Sequence, residues 1–169
     1  MKIIPTKQSK LPPSDKPEVK DPVRVYMDIP LYYYTERGPV PWNHSIFCSQ
    51  PFAVTVLETM NEILGREKMG LVHLGIYNPR RARKRNGTPI QPVRWSNHAY
   101  GEAIDWRGTV DEEGVFYSVD HLNETPTIEK ELLTEIWSGC SKLIEATGRK
   151  PEIVNEGRWI HIGLWPERR

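Results

Sequence analysis

The chain has 169 residues and a mass of 19.6 kDa, with 38% hydrophobic and 27% charged residues, which excludes wholesale disorder and allows one domain with a buried core. Lys+Arg total 23 and Asp+Glu 22, and a formal charge of +1 excludes bulk electrostatic attraction to nucleic acid or to a membrane surface. No apolar run approaches the roughly 20 residues of a membrane span, and the polar start Met1–Lys10 lacks the apolar core of a signal peptide, so classical secretion is not expected. Two cysteines, Cys48 and Cys140, are too few for a disulfide framework or a Cys-rich zinc site and read as small buried groups.

Eight of the 15 prolines fall within the first 41 residues. Proline lacks the N–H a ladder needs and disfavours helix at the preceding residue. Residues 1–22 therefore read as an extended or disordered proline-rich arm, and 23–169 as a single domain. From Val23 to Tyr34 the alternation of Val23, Val25 and Met27 with Arg24 and Tyr26 predicts a half-buried strand, which Tyr32, Tyr33 and Tyr34 extend or follow as an aromatic ledge. A helix is expected from Ser49, a good N-cap, with Pro51 in its first turn. Ala53, Val56, Leu57, Met60 and Leu64 give it an apolar stripe that ends near Gly65. Leu71–Tyr77 reads as a short buried strand. Asn78–Arg94 has no periodicity and reads as a loop. Gly101–Trp106 reads as a strand, Gly108–Gly114 as a turn and Val115–Val119 as a weak strand. A second helix is expected over 127–147, with Leu133, Ile136, Trp137, Cys140, Leu143 and Ile144 on its apolar face. Pro151–Asn155 and Arg158–Leu164 read as a hairpin across Glu156–Gly157. The expected fold class is α+β: a small, mainly antiparallel sheet packed with about two helices.

Two segments carry candidate chemistry. In Ser96-Asn97-His98-Ala99-Tyr100-Gly101-Glu102-Ala103-Ile104-Asp105, His98 lies just before a strand, and Gly101 lets the chain turn without a Cβ penalty. Ala103 and Asp105 share one strand face, because side chains alternate with period 2, and Ile104 points into the core. Asp105 can then look back at His98 across a face kept open by Ala103. In Trp159-Ile160-His161-Ile162-Gly163, Trp159, His161 and Gly163 share one face. A histidine between two isoleucines on a buried strand needs a polar partner, and a metal would supply it. Nitrogen and carboxylate ligands together suit Zn²⁺. The competing reading is a hydrogen-bonded core histidine at position 161 and a chance His-x6-Asp pair. His44 and His73 read as structural.

Ser96, His98, Gly101, Ala103 and Asp105 match Ser-x-His-x-x-Gly-x-Ala-x-Asp in full. The chain thereby resembles the D-Ala-D-Ala carboxypeptidase family of zinc peptidases, which includes the vancomycin-resistance dipeptidase, phage endolysins that cut L-Ala-D-Glu bonds, and extensin-like C-terminal domains. Trp159-Ile160-His161 is similar to the Trp-x-His that carries the last ligand in several branches. Gly75-Ile76-Tyr77-Asn78-Pro79-Arg80 looks like the Tyr-x-x-Arg stretch of the extensin-like branch. These blocks run from Gly75 to Gly163, about half of the chain.

The resemblance implies zinc on His98, Asp105 and His161, the site lying on the sheet, and cleavage of a peptidoglycan stem peptide, or another D-Ala-containing peptide, next to a D-amino acid. It leaves open whether the enzyme is a carboxypeptidase or an endopeptidase. Most of the family has Glu or Asp three residues before the last His. Here that residue is Arg158, which cannot act as a base. Glu156, in the turn two residues earlier, is the candidate base, with His121 a weaker one. Arg80 aligns with the family's arginine upstream of the first His and is the candidate oxyanion partner. Arg81, Ser96 and Trp159 are expected at the substrate, Ser96 also bonding locally to orient its loop. A monomer is expected, with cytoplasmic synthesis and lysin-like or non-classical release both open. Two other readings compete: a zinc-containing binding protein that has lost its base, and, less favoured, a nucleic-acid module using the basic run Arg80, Arg81, Arg83, Lys84 and Arg85. No nucleic-acid or membrane partner is expected.

Overall fold

The computed structural model describes residues 1–10, 13–84, 86–121, 130–131, 134–135 and 149–165. The fold is α+β. Strands β1 (Lys2–Pro5), β2 (Pro22–Tyr26) and β5 (Ile46–Ser49) form a small antiparallel sheet in the order β1-β2-β5. A larger mixed sheet runs β4-β3-β6-β7-β10-β9, with β8 (Phe116–Ser118) on β7. Its members are β3 (Leu31–Thr35), β4 (Gly38–Pro41), β6 (Gly70–Gly75), β7 (Ala103–Val110), β9 (Pro151–Asn155) and β10 (Ile160–Leu164). The pair β3–β6 is parallel; the other pairs are antiparallel. A parallel pair needs a long crossover. Here the crossover contains β4, β5 and the helix α1 (residues 50–66).

The helix begins as its sequence dictates. Ser49 caps it, its Oγ accepting from the Phe52 N–H at 3.3 Å, and Pro51 sits in the first turn. Ala53, Val56, Leu57, Met60 and Leu64 are all fully buried. The turn Ala53–Leu57 is π, with the Glu58 N–H reaching the Ala53 carbonyl. Thr55 Oγ1 donates to the Pro51 carbonyl at 2.6 Å, competing with the helical ladder at that point. One continuous core joins this helix to both sheets through Val23, Val25, Ile46, Leu71, Ile104, Trp106, Ile160 and Ile162. Burying each such aliphatic side chain is worth about 1.5–3 kcal/mol before entropy.

Several boundaries differ from the sequence reading. Val23–Tyr34 is two strands in two sheets, because the chain leaves β2 after Tyr26, bends at Asp28 and Ile29, and enters β3 beyond Pro30. Within β2 the alternation holds: Val23 and Val25 are buried, Arg24 and Tyr26 exposed. The expected turn from Gly108 starts three residues later, since β7 runs on to Val110 and Asp111 closes the loop by accepting from the N–H groups of Glu113 and Val115. The proline-rich segment is extended over Lys2–Pro5 and pairs with β2. Gln8 then ties it down, accepting from the Val19 N–H at 2.7 Å and donating to the Pro17 carbonyl at 2.9 Å. Of the helix expected over 127–147, Lys130, Glu131, Thr134 and Glu135 are helical. The rest of it, with Cys140, lies outside the described residues, as do the side chain of His121 and all of Arg85. Cys48 is free and fully buried, and burial pushes its thiol pKa up.

Candidate metal centre

Strands β7 and β10 pair so that Asp105 lies opposite His161 and Ala103 opposite Gly163. Alternation puts these four residues on one face and Ile104, Trp106, Ile160 and Ile162 on the core face. The face is kept open by small residues. A Cβ on Gly163 would lie 3.2 Å from the Ala103 Cβ and 3.3 Å from His161 Nε2.

His98 arrives from a 3₁₀ turn, Asn97–Tyr100, that ends at Gly101 with φ +64°. A Cβ on Gly101 would meet the Cys48 Cα at 2.9 Å and the Ser49 nitrogen at 3.0 Å, and the Gly101 carbonyl accepts from the Ser49 N–H at 2.9 Å. Glycine is thus required twice over, and the turn is locked to the start of α1. On the other side, buried Glu102 takes both terminal nitrogens of Arg149, at 3.0 and 2.6 Å, which fixes the entry to β7 against the segment leading into β9. Removing one partner of such a buried pair typically costs about 3–5 kcal/mol.

The result is a compact N, O, N group. His98 Nε2 lies 3.1 Å, and His161 Nδ1 3.0 Å, from Asp105 Oδ1. The three residues form a group that could hold a metal ion, with ligand atoms all within 4.8 Å of one another. The His98 Nδ1–H donates to the Ile76 carbonyl at 2.7 Å, which fixes the ring with Nε2 turned to Asp105. Burial by itself raises the Asp105 pKa, but hydrogen bonds from His161 and His98 and their charge outweigh it and hold the carboxyl well below the usual range. Asp105 is therefore an anion poised between two nitrogens, the chemistry a cation site needs.

The triad opens into a cleft of about 430 Å³. Its lining includes Arg80, Arg81, Arg83, Lys84 and Arg94 from the segment before His98, and Glu152, Val154, Glu156 and Trp159 from the β9–β10 hairpin. Arg80 reaches the centre, its guanidinium 4.0 Å from Asp105 Oδ2, while its side chain stays 54% exposed. Arg81 lines the cleft but is engaged elsewhere: it bonds Asp15 at 2.6 Å and stacks on Trp95 at 3.9 Å. Ser96 lines it too, but not with the local hydrogen bond expected of it. Its hydroxyl oxygen is buried without a partner among the described residues, and it makes no side-chain cap for the turn that follows. Glu156 sits in the β9–β10 turn, where its backbone N–H donates to the Trp159 carbonyl at 3.0 Å, and its carboxylate has no recorded partner among the described residues. His121 ends a separate 3₁₀ turn, Val119–His121. His73 packs edge-on against Tyr33 and Trp42, and Trp42 packs against His44.

Two residues at the centre escaped the sequence reading. Glu152 Oε2 lies 3.8 Å from His161 Nε2, and Asn97 donates a short hydrogen bond to the same carboxylate oxygen. The signal was the hairpin register. With Asn155 opposite Ile160, Val154 faces His161, and Glu152 is its diagonal neighbour on the same face.

Comparison with known proteins finds no matching family model, no matching curated protein and no matching solved structure.

Proposed function

We propose that the chain is a zinc-dependent peptidase acting on a bacterial cell-wall peptide, cutting a bond next to a D-amino acid. The observation that carries this reading is the N, O, N group of His98, Asp105 and His161 in a cleft that Glu156 also lines, with the Arg80 guanidinium 4.0 Å from Asp105. The motif resemblance in Ser96–Asp105 and Trp159–His161 supplies the substrate class.

The residues fit the metal. Two neutral imidazoles and one carboxylate leave a fourth position open, the usual arrangement of catalytic zinc. Bound there, zinc would supply Lewis acidity and make water a nucleophile near neutral pH. The chain's own groups do the rest. Glu156 takes the proton from the attacking water and returns it to the departing amine. Its carboxylate is unpartnered among the described residues, in contrast to Glu152, which Asn97 engages. Arg80 holds the oxygen of the scissile carbonyl as negative charge develops. Its distance from Asp105 supports that role. Trp159 and Arg81 line the path of the peptide.

Arg158, standing where most of the resembled family has its base, favours a second reading: a zinc-holding protein that binds wall peptide without cutting it. Incubating the zinc-loaded protein with purified peptidoglycan and measuring newly exposed amino groups separates the two. Release of amino groups that chelation abolishes is the expected result. Tight retention on the wall with no release, zinc being bound, refutes the peptidase reading in favour of the second.

A further inference from the structure

The metal-centre reading leaves one group of His161 unexplained. A histidine that binds a cation through Nδ1 must carry its proton on Nε2. His161 presents Nδ1 to Asp105, so its Nε2–H points away from Asp105, on the side where Glu152 stands. The recorded carboxylate contact on that side is Glu152 Oε2 at 3.8 Å.

Three features lead that carboxylate to His161. Glu152 pairs across the hairpin with Gly163, which has no side chain to block the route, and a Cβ there would lie 3.3 Å from His161 Nε2. Asn97 Nδ2 donates to Glu152 Oε2 and, at 3.2 Å, to the Leu164 carbonyl, anchoring the carboxylate to β10. Asn97 is also the chain neighbour of His98, so the same contact couples the two histidines. His98 already has its outer partner in the Ile76 carbonyl.

We infer that Glu152 is a positioning residue: its carboxylate, 3.8 Å from Nε2 and just beyond hydrogen-bond range in this structure, closes on the His161 Nε2–H when Nδ1 holds the metal, fixes the tautomer and ring orientation, and makes that nitrogen a stronger donor. This rests on the metal-centre reading. Glu152 is not one of the three grouped ligand residues, so its effect on zinc affinity acts through His161. Outer partners of this kind typically contribute about 10–100-fold to metal affinity.

The test is zinc affinity by chelator competition for the wild type, Glu152→Ala and Glu152→Gln, with thermal melts of each in the metal-free state. The ¹⁵N and Nε2–H proton resonances of His161 are recorded in the zinc-loaded forms. Glu152→Ala should weaken zinc binding about 10–100-fold. Glu152→Gln, whose amide oxygen still accepts, should fold as the wild type does, recover part of that loss and move the His161 Nε2–H resonance upfield. If Glu152→Ala fails to fold, the Gln variant alone decides through that resonance. Wild-type affinity and unmoved His161 resonances in the variants overturn the role of Glu152 while leaving the metal centre standing. A wild-type protein that binds no zinc overturns both.

Discussion

Replacing His73 by phenylalanine tests how its burial couples folding to pH. The ring is 2% exposed, both of its nitrogens lack hydrogen-bond partners among the described residues, and Tyr33 and Trp42 pack on it edge-on. Burial disfavours the charged form and lowers its pKa from 6.5 to about 4. The sign follows directly. Between pH 6.5 and 4 the unfolded chain binds a proton that the folded chain excludes, so stability falls as pH falls through that window and is unaffected above it. At pH 5 the unfolded ring is mostly protonated and the folded ring mostly neutral; the ratio of their proton-binding terms is about 30, or about 2 kcal/mol of lost stability. Below pH 4 the loss approaches about 3 kcal/mol. Phenylalanine has nearly the same shape and removes the titration without breaking a hydrogen bond. Denaturant melts of wild type and His73→Phe, with chelator present, should therefore diverge by about 2 kcal/mol on going from pH 7.5 to pH 5, the variant losing less. Equal losses in the two proteins would refute the burial argument for this ring.

Other perturbations address the site. Arg80→Ala should lower kcat by about 10²–10³ with zinc content unchanged, because the guanidinium acts on developing charge; equal, small effects at Arg80, Arg83 and Arg94 would instead indicate a diffuse basic surface. Glu156→Gln should keep zinc and fold while hydrolysis falls by about 10²–10⁴, and unchanged turnover would remove it as the base. Gly101→Ala should destabilise the fold by more than about 1 kcal/mol, since alanine pays for a left-handed φ and its Cβ collides with the Cys48 and Ser49 backbone; an unaltered melting temperature would contradict the packing of the His98 turn.

Much of the centre was legible because strand alternation is local. Once Ala103–Trp106 and Ile160–Gly163 are strands, period 2 alone puts Asp105 and His161 on one face and the isoleucines on the other. The stripe of α1 and its Ser49 cap are equally local. What was not legible depends on register and on contacts distant in sequence. Glu152 meets His161 only when the hairpin pairing is known. Arg81 finds Asp15 across 66 residues, which no spacing rule reveals. The break at Asp28–Pro30 was hidden because Val23–Tyr26 and Leu31–Tyr34 each read as strand, and nothing local says that they join different sheets. The parallel pairing of β3 with β6, and hence the mixed larger sheet, follows from the α1 crossover and not from either strand's own pattern.

The proposed function stands or falls first on the metal. Purified protein, stripped with chelator and reloaded with excess zinc, should retain about one Zn²⁺ per chain after gel filtration, measured by elemental analysis. His98→Ala, Asp105→Ala and His161→Ala, each folded by circular dichroism, should retain none. A wild-type chain that keeps no zinc, or an Asp105→Ala chain that keeps it as tightly as the wild type, would contradict the assignment of the centre.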